Sequence, residues 1–329
     1  MKYRRLGSSE LEVSVLSMGC WQLASGDYWG PTEHPDEAVQ AALDAGINTF
    51  DVAESYERGE SERVLGKALG RRRDEAIVAT KISPKHCAPD QVRSTCEDSL
   101  RRLNTDRIDL YQVHWPPREV AFDDVAEALL KLKSEGKIRE IGVSNFGVLD
   151  LADWPEDGQL VSNQLGYNLL FRAIEYDIVP ACRERNIGIL VYMPVLQGLL
   201  AGRWHSVDEI PGSRRRTRHF AQCDDGPRHG EAGHEALTFR VLAELEAEAR
   251  GMGQPMATVA IAWAIAQPQV AGAIVGCRKK TQVERNVAAA ELELSPEQIA
   301  RLNAVTDPLK AALGRNADMW LGERESRIR

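Results

Sequence analysis

Short apolar runs recur along the chain at nearly even spacing. Each is followed by a longer stretch in which apolar residues return every three or four positions. The runs at 15–19, 48–53, 77–81, 108–114, 141–145, 161–168, 188–195 and 272–277 predict eight β-strands. The ends of the first seven are separated by 34, 28, 33, 31, 23 and 27 positions, each close to one βα unit of about 30 residues. Between them, Ala38, Val39, Ala42 and Leu43 share one helical face before Gly46. Val64, Leu65, Ala68 and Leu69 do so before Gly70, and Val125, Ala128, Leu129 and Leu132 before Gly136. Strict alternation implies parallel pairing. Eight such units close most simply into an α/β fold of the (β/α)8 TIM-barrel type. An open doubly wound sheet is the rival, weakened by the lack of a GxGxxG after the first strand.

The last spacing departs from the rhythm, because 82 positions separate the ends of strands seven and eight. The surplus over one βα unit predicts a long lid-like insertion at 198–236, with helices at 237–250 and 256–266 behind it. An N-terminal β-hairpin is predicted from 3–6 and 11–13 around Gly7-Ser8-Ser9. A helix is expected at 296–305 and an irregular C-terminal tail at 307–329, the whole of 1–329 forming one barrel domain.

Composition narrows the class. The chain has 329 residues, 43% of them hydrophobic and 27% charged, with a formal net charge of −8. That balance suits a globular fold and disfavours a general nucleic-acid binder. No apolar stretch approaches the ~20 residues a membrane span needs, and no apolar core follows Met1-Lys2-Tyr3-Arg4-Arg5 as a secretory signal requires. The six cysteines, Cys20, Cys87, Cys96, Cys182, Cys223 and Cys277, form no CxxC pair and read as reduced thiols of a cytoplasmic protein. The runs Arg71-Arg72-Arg73 and Arg214-Arg215-Arg216 read as solvated faces. Trp154 and Trp263 fall on helical patterns and are expected in the core. His205, His219, His229 and His234 crowd the insertion near Cys223, but without metal-ligand spacing, so no metal is expected.

In a barrel, chemistry gathers where strands end. Asp51 lies near the end of strand two and Tyr56 just beyond it, Lys81 ends strand three and His114 ends strand four. A phenol titrates near 10, and a neighbouring ammonium should lower that value. A carboxylate would hold the ammonium, and an imidazole could donate to a carbonyl oxygen. This is a set for proton transfer to oxygen while carbon is attacked. A strand-end lysine alone would also suit Schiff-base chemistry.

These residues lie in the stretches FDVAESY (50–56), GESERVLGKAL (59–69), ATK (79–81), DLYQVHWP (109–116), KIREIGVSNF (137–146), SNQLGYNLL (162–170), YMPVLQGLLAGR (192–203) and GCRKKTQVERN (276–286). In that order they resemble the aldo-keto reductases, in particular the bacterial and potassium-channel β-subunit-like branches. The resemblance implies hydride transfer between NADP(H), preferred over NAD(H), and a small carbonyl or alcohol substrate. It implies Tyr56 as the general acid or base, with Asp51, Lys81 and His114. It further implies that Ser144, Asn145 and Gln164 hold the nicotinamide carboxamide, and that Tyr192 stacks on its ring. Gln197, Gly198, Leu199, Gly202 and Arg203 would then close over the pyrophosphate. Gly276, Arg278, Gln282 and Asn286 would take the adenosine end, Arg278 meeting the 2′-phosphate. Trp21, Glu57 and Trp115 are expected at the substrate pocket. The chain departs from the family pattern at Glu57, where glycine is common, at Val275, where proline is common, and at Arg285, where glutamate is common. The alternatives are a slow redox-sensing NADP(H)-binding subunit and a Schiff-base lyase on Lys81. No nucleic-acid or membrane partner is expected, and monomer or homo-oligomer stays open.

Overall fold

A computed structural model of the chain describes residues 1–24, 29–221 and 229–329. Two short strands come first, β1 (Tyr3–Arg5) and β2 (Glu12–Ser14), paired antiparallel. The units that follow are β3 (Leu16–Gly19) with α1 (Pro35–Asp44), β4 (Thr49–Asp51) with α2 (Glu60–Leu69), and β5 (Ile77–Ile82) with α3 (Pro89–Leu103). Next come β6 (Ile108–Val113) with α4 (Phe122–Ser134), β7 (Ile138–Ser144) with α5 (Val148–Asp153), and β8 (Leu160–Gly166) with α6 (Ile178–Glu184). After β9 (Gly188–Tyr192) come short 3-10 turns between Leu196 and Arg214, then α7 (Glu235–Gly251) and α8 (Met256–Ala266). It ends with β10 (Val270–Gly276), α9 (Lys280–Glu291) and α10 (Pro296–Leu313). Strands β3 to β10 form a closed barrel in which β10 pairs in parallel with both β9 and β3. This is the expected (β/α)8 barrel with its hairpin, insertion and tail.

The barrel strands are buried on both faces, as all six residues of β6 are, because helices cover the outside and side-chain layers fill the inside. The predicted stripe of α1 (Ala38, Val39, Ala42, Leu43) is the face that packs inward. The hairpin plugs the lower end, where Leu6, Leu11 and Val13 cluster with Leu110, Val161 and Leu190. Gly7 makes the close approach possible: its φ is +56°, and a Cβ there would stand 2.2 Å from the Val161 carbonyl oxygen. Trp154 and Trp263 are both buried.

Two expectations need correction. The last helix does not stop near 305; α10 runs to Leu313 through Pro308, so the irregular tail begins later. A proline inside a helix removes one backbone donor and crowds a carbonyl one turn back. Here Arg172 holds that stretch in place by donating to Asn303 O at 3.0 Å, Thr306 Oγ1 at 2.8 Å and Asp307 Oδ1 at 2.8 Å. Nor are the arginine runs simply solvated. Arg73 donates to the buried Asp109 carboxylate at 2.7 Å. Arg214 lies over the Trp29 ring, 5.1 Å from its centroid, and donates to Gln197 O at 3.2 Å.

Cys20, Cys87, Cys96, Cys182 and Cys277 are buried and unbridged, while Cys223 lies outside the described residues. Among the described residues no three His, Cys, Asp or Glu side chains gather as metal ligands, and no helix is long and apolar enough to cross a membrane.

Candidate active site

Parallel pairing brings the ends of all eight barrel strands to one rim. Asp51 closes β4, Lys81 is the fifth residue of β5, and His114 follows β6 directly. Lys81 is fully buried and Asp51 is nearly so. The Lys81 ammonium donates to Asp51 Oδ1 at 2.7 Å, to Val52 O at 2.8 Å and to the Tyr56 hydroxyl at 3.4 Å. The other carboxylate oxygen, Asp51 Oδ2, accepts from Gln164 Nε2 at 2.6 Å. The His114 ring meets the Tyr56 ring edge to face at 5.7 Å. Trp21 stacks on Tyr56, with centroids 5.2 Å apart. Asp51, Tyr56, Lys81 and His114 are thus one contiguous group.

Electrostatics sharpens their protonation states. Burial alone would lower the Lys81 pKa, but Asp51 and Tyr56 outweigh it and hold the ammonium above its ordinary range. Burial, helped by the Lys81 charge, pushes His114 down to about 3, so its imidazole is neutral near pH 7. Ser55 Oγ meets His114 Nδ1 across 3.4 Å, and which of the two donates depends on the ring tautomer. For Tyr56 the expected direction reverses. Burial raises the phenol above its ordinary value, and the opposing pull of Lys81 does not overcome it. The phenol is therefore protonated near pH 7, with the Lys81 ammonium 3.4 Å from its hydroxyl.

Around this group the rim carries amides and hydroxyls. Ser144 Oγ donates to Gln164 O at 3.0 Å, and Asn145 Nδ2 donates to Ser144 Oγ at 2.9 Å and to His114 O at 3.2 Å. The Tyr192 hydroxyl donates to Asn145 Oδ1 at 2.8 Å. Asn145 has φ +63°, Met193 +56°, Leu196 +40° and Gln197 +53°, so left-handed backbone clusters at the ends of β7 and β9, a pattern common at binding sites. Gly198 (φ +103°) and Gly202 (φ +67°) continue the turn, Leu199 buries its side chain, and Arg203 is exposed.

The late motif lies at the N-terminus of α9. Gln282 Oε1 accepts from the backbone N–H of Arg278 at 2.8 Å and of Lys279 at 3.2 Å. Asn286 is buried and donates to Cys277 Sγ at 3.1 Å. Both amides therefore spend contacts on shaping their own loop. Arg278 donates to Trp29 O at 2.5 Å and has no carboxylate partner among the described residues. Gly276 packs on the Gln22 amide, which a Cβ would meet at 2.7 Å.

The tail supplies groups that the motifs did not reveal. Asp318 is fully buried and holds Arg327 at 2.8 and 3.0 Å. The Arg327 guanidinium lies 3.7 Å from the Trp115 ring centroid. Trp320 stacks on Tyr192 at 6.0 Å with the rings 11° apart, so a ligand stacking on Tyr192 must do so beside Trp320. A tryptophan and an arginine in a segment without periodicity were the only signals in the sequence. Glu57 follows Tyr56 with φ +47° and is half-buried.

Comparison with known proteins decides the family. The model of the Aldo/keto reductase family matches residues 15–307. The chain belongs to the aldo/keto reductase family. Among relatives of this aldo/keto reductase, it is 31% identical to aldo-keto reductase YhdN of Bacillus subtilis, over 93% of this chain and 94% of that one. It is 29% identical to the NADH-specific methylglyoxal reductase of Escherichia coli, over 94% and 100%. Among solved structures, it is similar to an aldo/keto reductase from Klebsiella pneumoniae in complex with NADP and acetate. That likeness has a TM-score of 0.74 at 27% identity, over 93% of this chain and 96% of that one.

Proposed function

We propose that this reductase transfers hydride between NADP(H) and the carbonyl or alcohol carbon of a small aldehyde, ketone or sugar, with Tyr56 giving or taking the proton on oxygen. One observation carries the reading. The buried Asp51–Lys81 pair places an ammonium 3.4 Å from the Tyr56 hydroxyl. A bound nicotinamide supplies the hydride. Tyr56 passes its proton to the substrate oxygen, and Lys81 stabilises the phenolate that remains. Asp51 keeps Lys81 charged and in place. Neutral His114 donates from Nε2 to the carbonyl oxygen and orients it. In alcohol oxidation the same proton path runs backwards. A lysine engaged by three acceptors and held charged is a poor amine nucleophile, which argues against a Schiff-base lyase.

The donor set fits a nicotinamide dinucleotide. Gln164 keeps a carbonyl oxygen, and Asn145 Oδ1 a lone pair, for the carboxamide NH2, and Ser144 stands beside both. The turn from Gln197 to Gly202, left-handed at Gln197, Gly198 and Gly202, with Arg203, suits a pyrophosphate. Gln282 and Asn286 would shape the adenosine end more than read it. The relatives include both an NADP complex and an NADH-specific enzyme. Here Arg278, without a carboxylate partner among the described residues, supports a 2′-phosphate and hence NADP(H). Insertion and tail reach the same mouth through Arg214 on Trp29 and Trp320 on Tyr192, so we read the chain as one working unit in which Trp21, Glu57 and Trp115 line the substrate entrance. The test is a panel of aldehydes, ketones and sugars followed by NADPH absorbance. Multiple turnover with at least one class is expected. Tight NADPH retention with almost no turnover of any would point instead to a redox-sensing subunit.

A further inference from the structure

Beside the mouth, between the turn after β4 and helix α3, lies a groove of about 640 Å³. Its lining includes Glu54, Ser55, Arg58, Lys85, His86 and Arg102. It begins at the candidate active site, because Ser55, whose Oγ is 3.4 Å from His114 Nδ1, belongs to both. We propose that this groove binds an anionic group, a phosphate ester or a carboxylate, at the far end of the substrate. The inference rests on the carbonyl-reductase reading above.

The charges of the groove decide its sign. Glu54 is committed, accepting from Ser83 N–H at 2.7 Å and meeting His86 Nδ1 at 2.9 Å. Asp98, also in the wall, pairs with Arg101. Arg102 is committed to the buried Glu62 carboxylate. That leaves Arg58 and Lys85, both exposed and both without a carboxylate partner among the described residues. Arg58 follows Glu57 in a pair of consecutive left-handed residues, φ +47° and +56°, a backbone that side chains other than glycine rarely adopt. Strain of this kind persists where the surroundings impose it and often marks a ligand site. In a chain of net charge −8, an anionic substrate is repelled at long range, so a local cationic pair beside the mouth has a specific use.

The experiment compares matched aldehydes: glyceraldehyde 3-phosphate against glyceraldehyde, and succinic semialdehyde against butyraldehyde. We expect kcat/KM to favour at least one anionic member by about tenfold or more at low salt, the scale of one charge-assisted contact. In the double variant Arg58→Gln/Lys85→Gln the ratio should fall toward one, chiefly through KM of the anionic member, while Lys85→Arg should keep it. The phosphate and carboxylate pairs show which anion is preferred. A readout without turnover is the melting-temperature increment given by glycerol 3-phosphate over glycerol, lost in the double variant. Absence of any preference in the parent protein, or a preference that survives the double variant, overturns the proposal. So does an increment from glycerol 3-phosphate without a matching substrate preference, which would mark a free-anion site only. Failure to reduce any of the four aldehydes would strike the carbonyl-reductase reading, and the anion subsite with it. Turnover of the neutral members without anion preference would strike the groove alone.

Discussion

Replacing Lys81 by methionine removes one charge and little volume from a fully buried position. Its ammonium is 3.4 Å from the Tyr56 hydroxyl. At that separation, an ammonium and a phenolate attract by about 5 kcal/mol at an effective dielectric of about 20. Felt in full, that is between three and four pKa units on the phenol, at roughly 1.4 kcal/mol each. General acid–base catalysis as a whole contributes roughly 10²–10⁴-fold, so kcat for carbonyl reduction should drop by about that range, with NADPH affinity altered far less. Stability should fall as well. Asp51, nearly buried, keeps among the described residues Gln164 alone as a side-chain donor, and stranding one partner of a buried pair costs about 3–5 kcal/mol. Adding Asp51→Asn to Lys81→Met should recover part of that loss, because the stranded charge is gone. Single-turnover NADPH absorbance and urea unfolding read the two effects separately. A Lys81→Met protein with kcat within about threefold of the parent, or a double variant less stable than the single, would refute the reasoning.

His114 gives a pH prediction. Its imidazole is held to about 3 against an ordinary 6.5, so between those values the unfolded chain binds a proton that the native chain refuses. The stabilisation is complete above pH 6.5 and is lost as pH falls toward 3, at about 1.4 kcal/mol per pH unit for one histidine. His219, fully buried and held to about 4, adds a second such proton. His229 is also lowered by burial, so His114→Gln should remove part of the histidine-driven decline between pH 6 and 4, measured by urea midpoints; an unchanged slope would contradict the assignment. For the cofactor, Arg278→Ala should weaken NADPH binding by roughly 10–100-fold, the loss of a charge-assisted contact, and NADH binding much less. Fluorescence titration with both cofactors tests this, and equal losses would move the phosphate site elsewhere.

The barrel was legible in the sequence because each strand buries both faces and each helix one stripe, so burial writes a period into the chain. The strand ends were legible for a related reason: Asp51, Lys81 and His114 are titratable residues at or near the C-terminal ends of their runs. What escaped has no period. The continuation of α10 through Pro308 depends on Arg172, more than a hundred positions away. The tail acts through Asp318, which folds Arg327 back toward Trp115, a contact between segments that no local pattern encodes. The direction at Tyr56 was missed because Lys81 is visible in the sequence, whereas the burial that outweighs it arises only when Trp21 and the rim close around the phenol.

The central claim is that Tyr56 moves the proton, and Tyr56→Phe tests it most directly, since it removes one oxygen and leaves the ring against Trp21. Single-turnover reduction of an aldehyde should slow by roughly 10²–10⁴-fold, while NADPH, titrated on the same protein by fluorescence, binds nearly as before. Undiminished turnover in Tyr56→Phe would contradict the account.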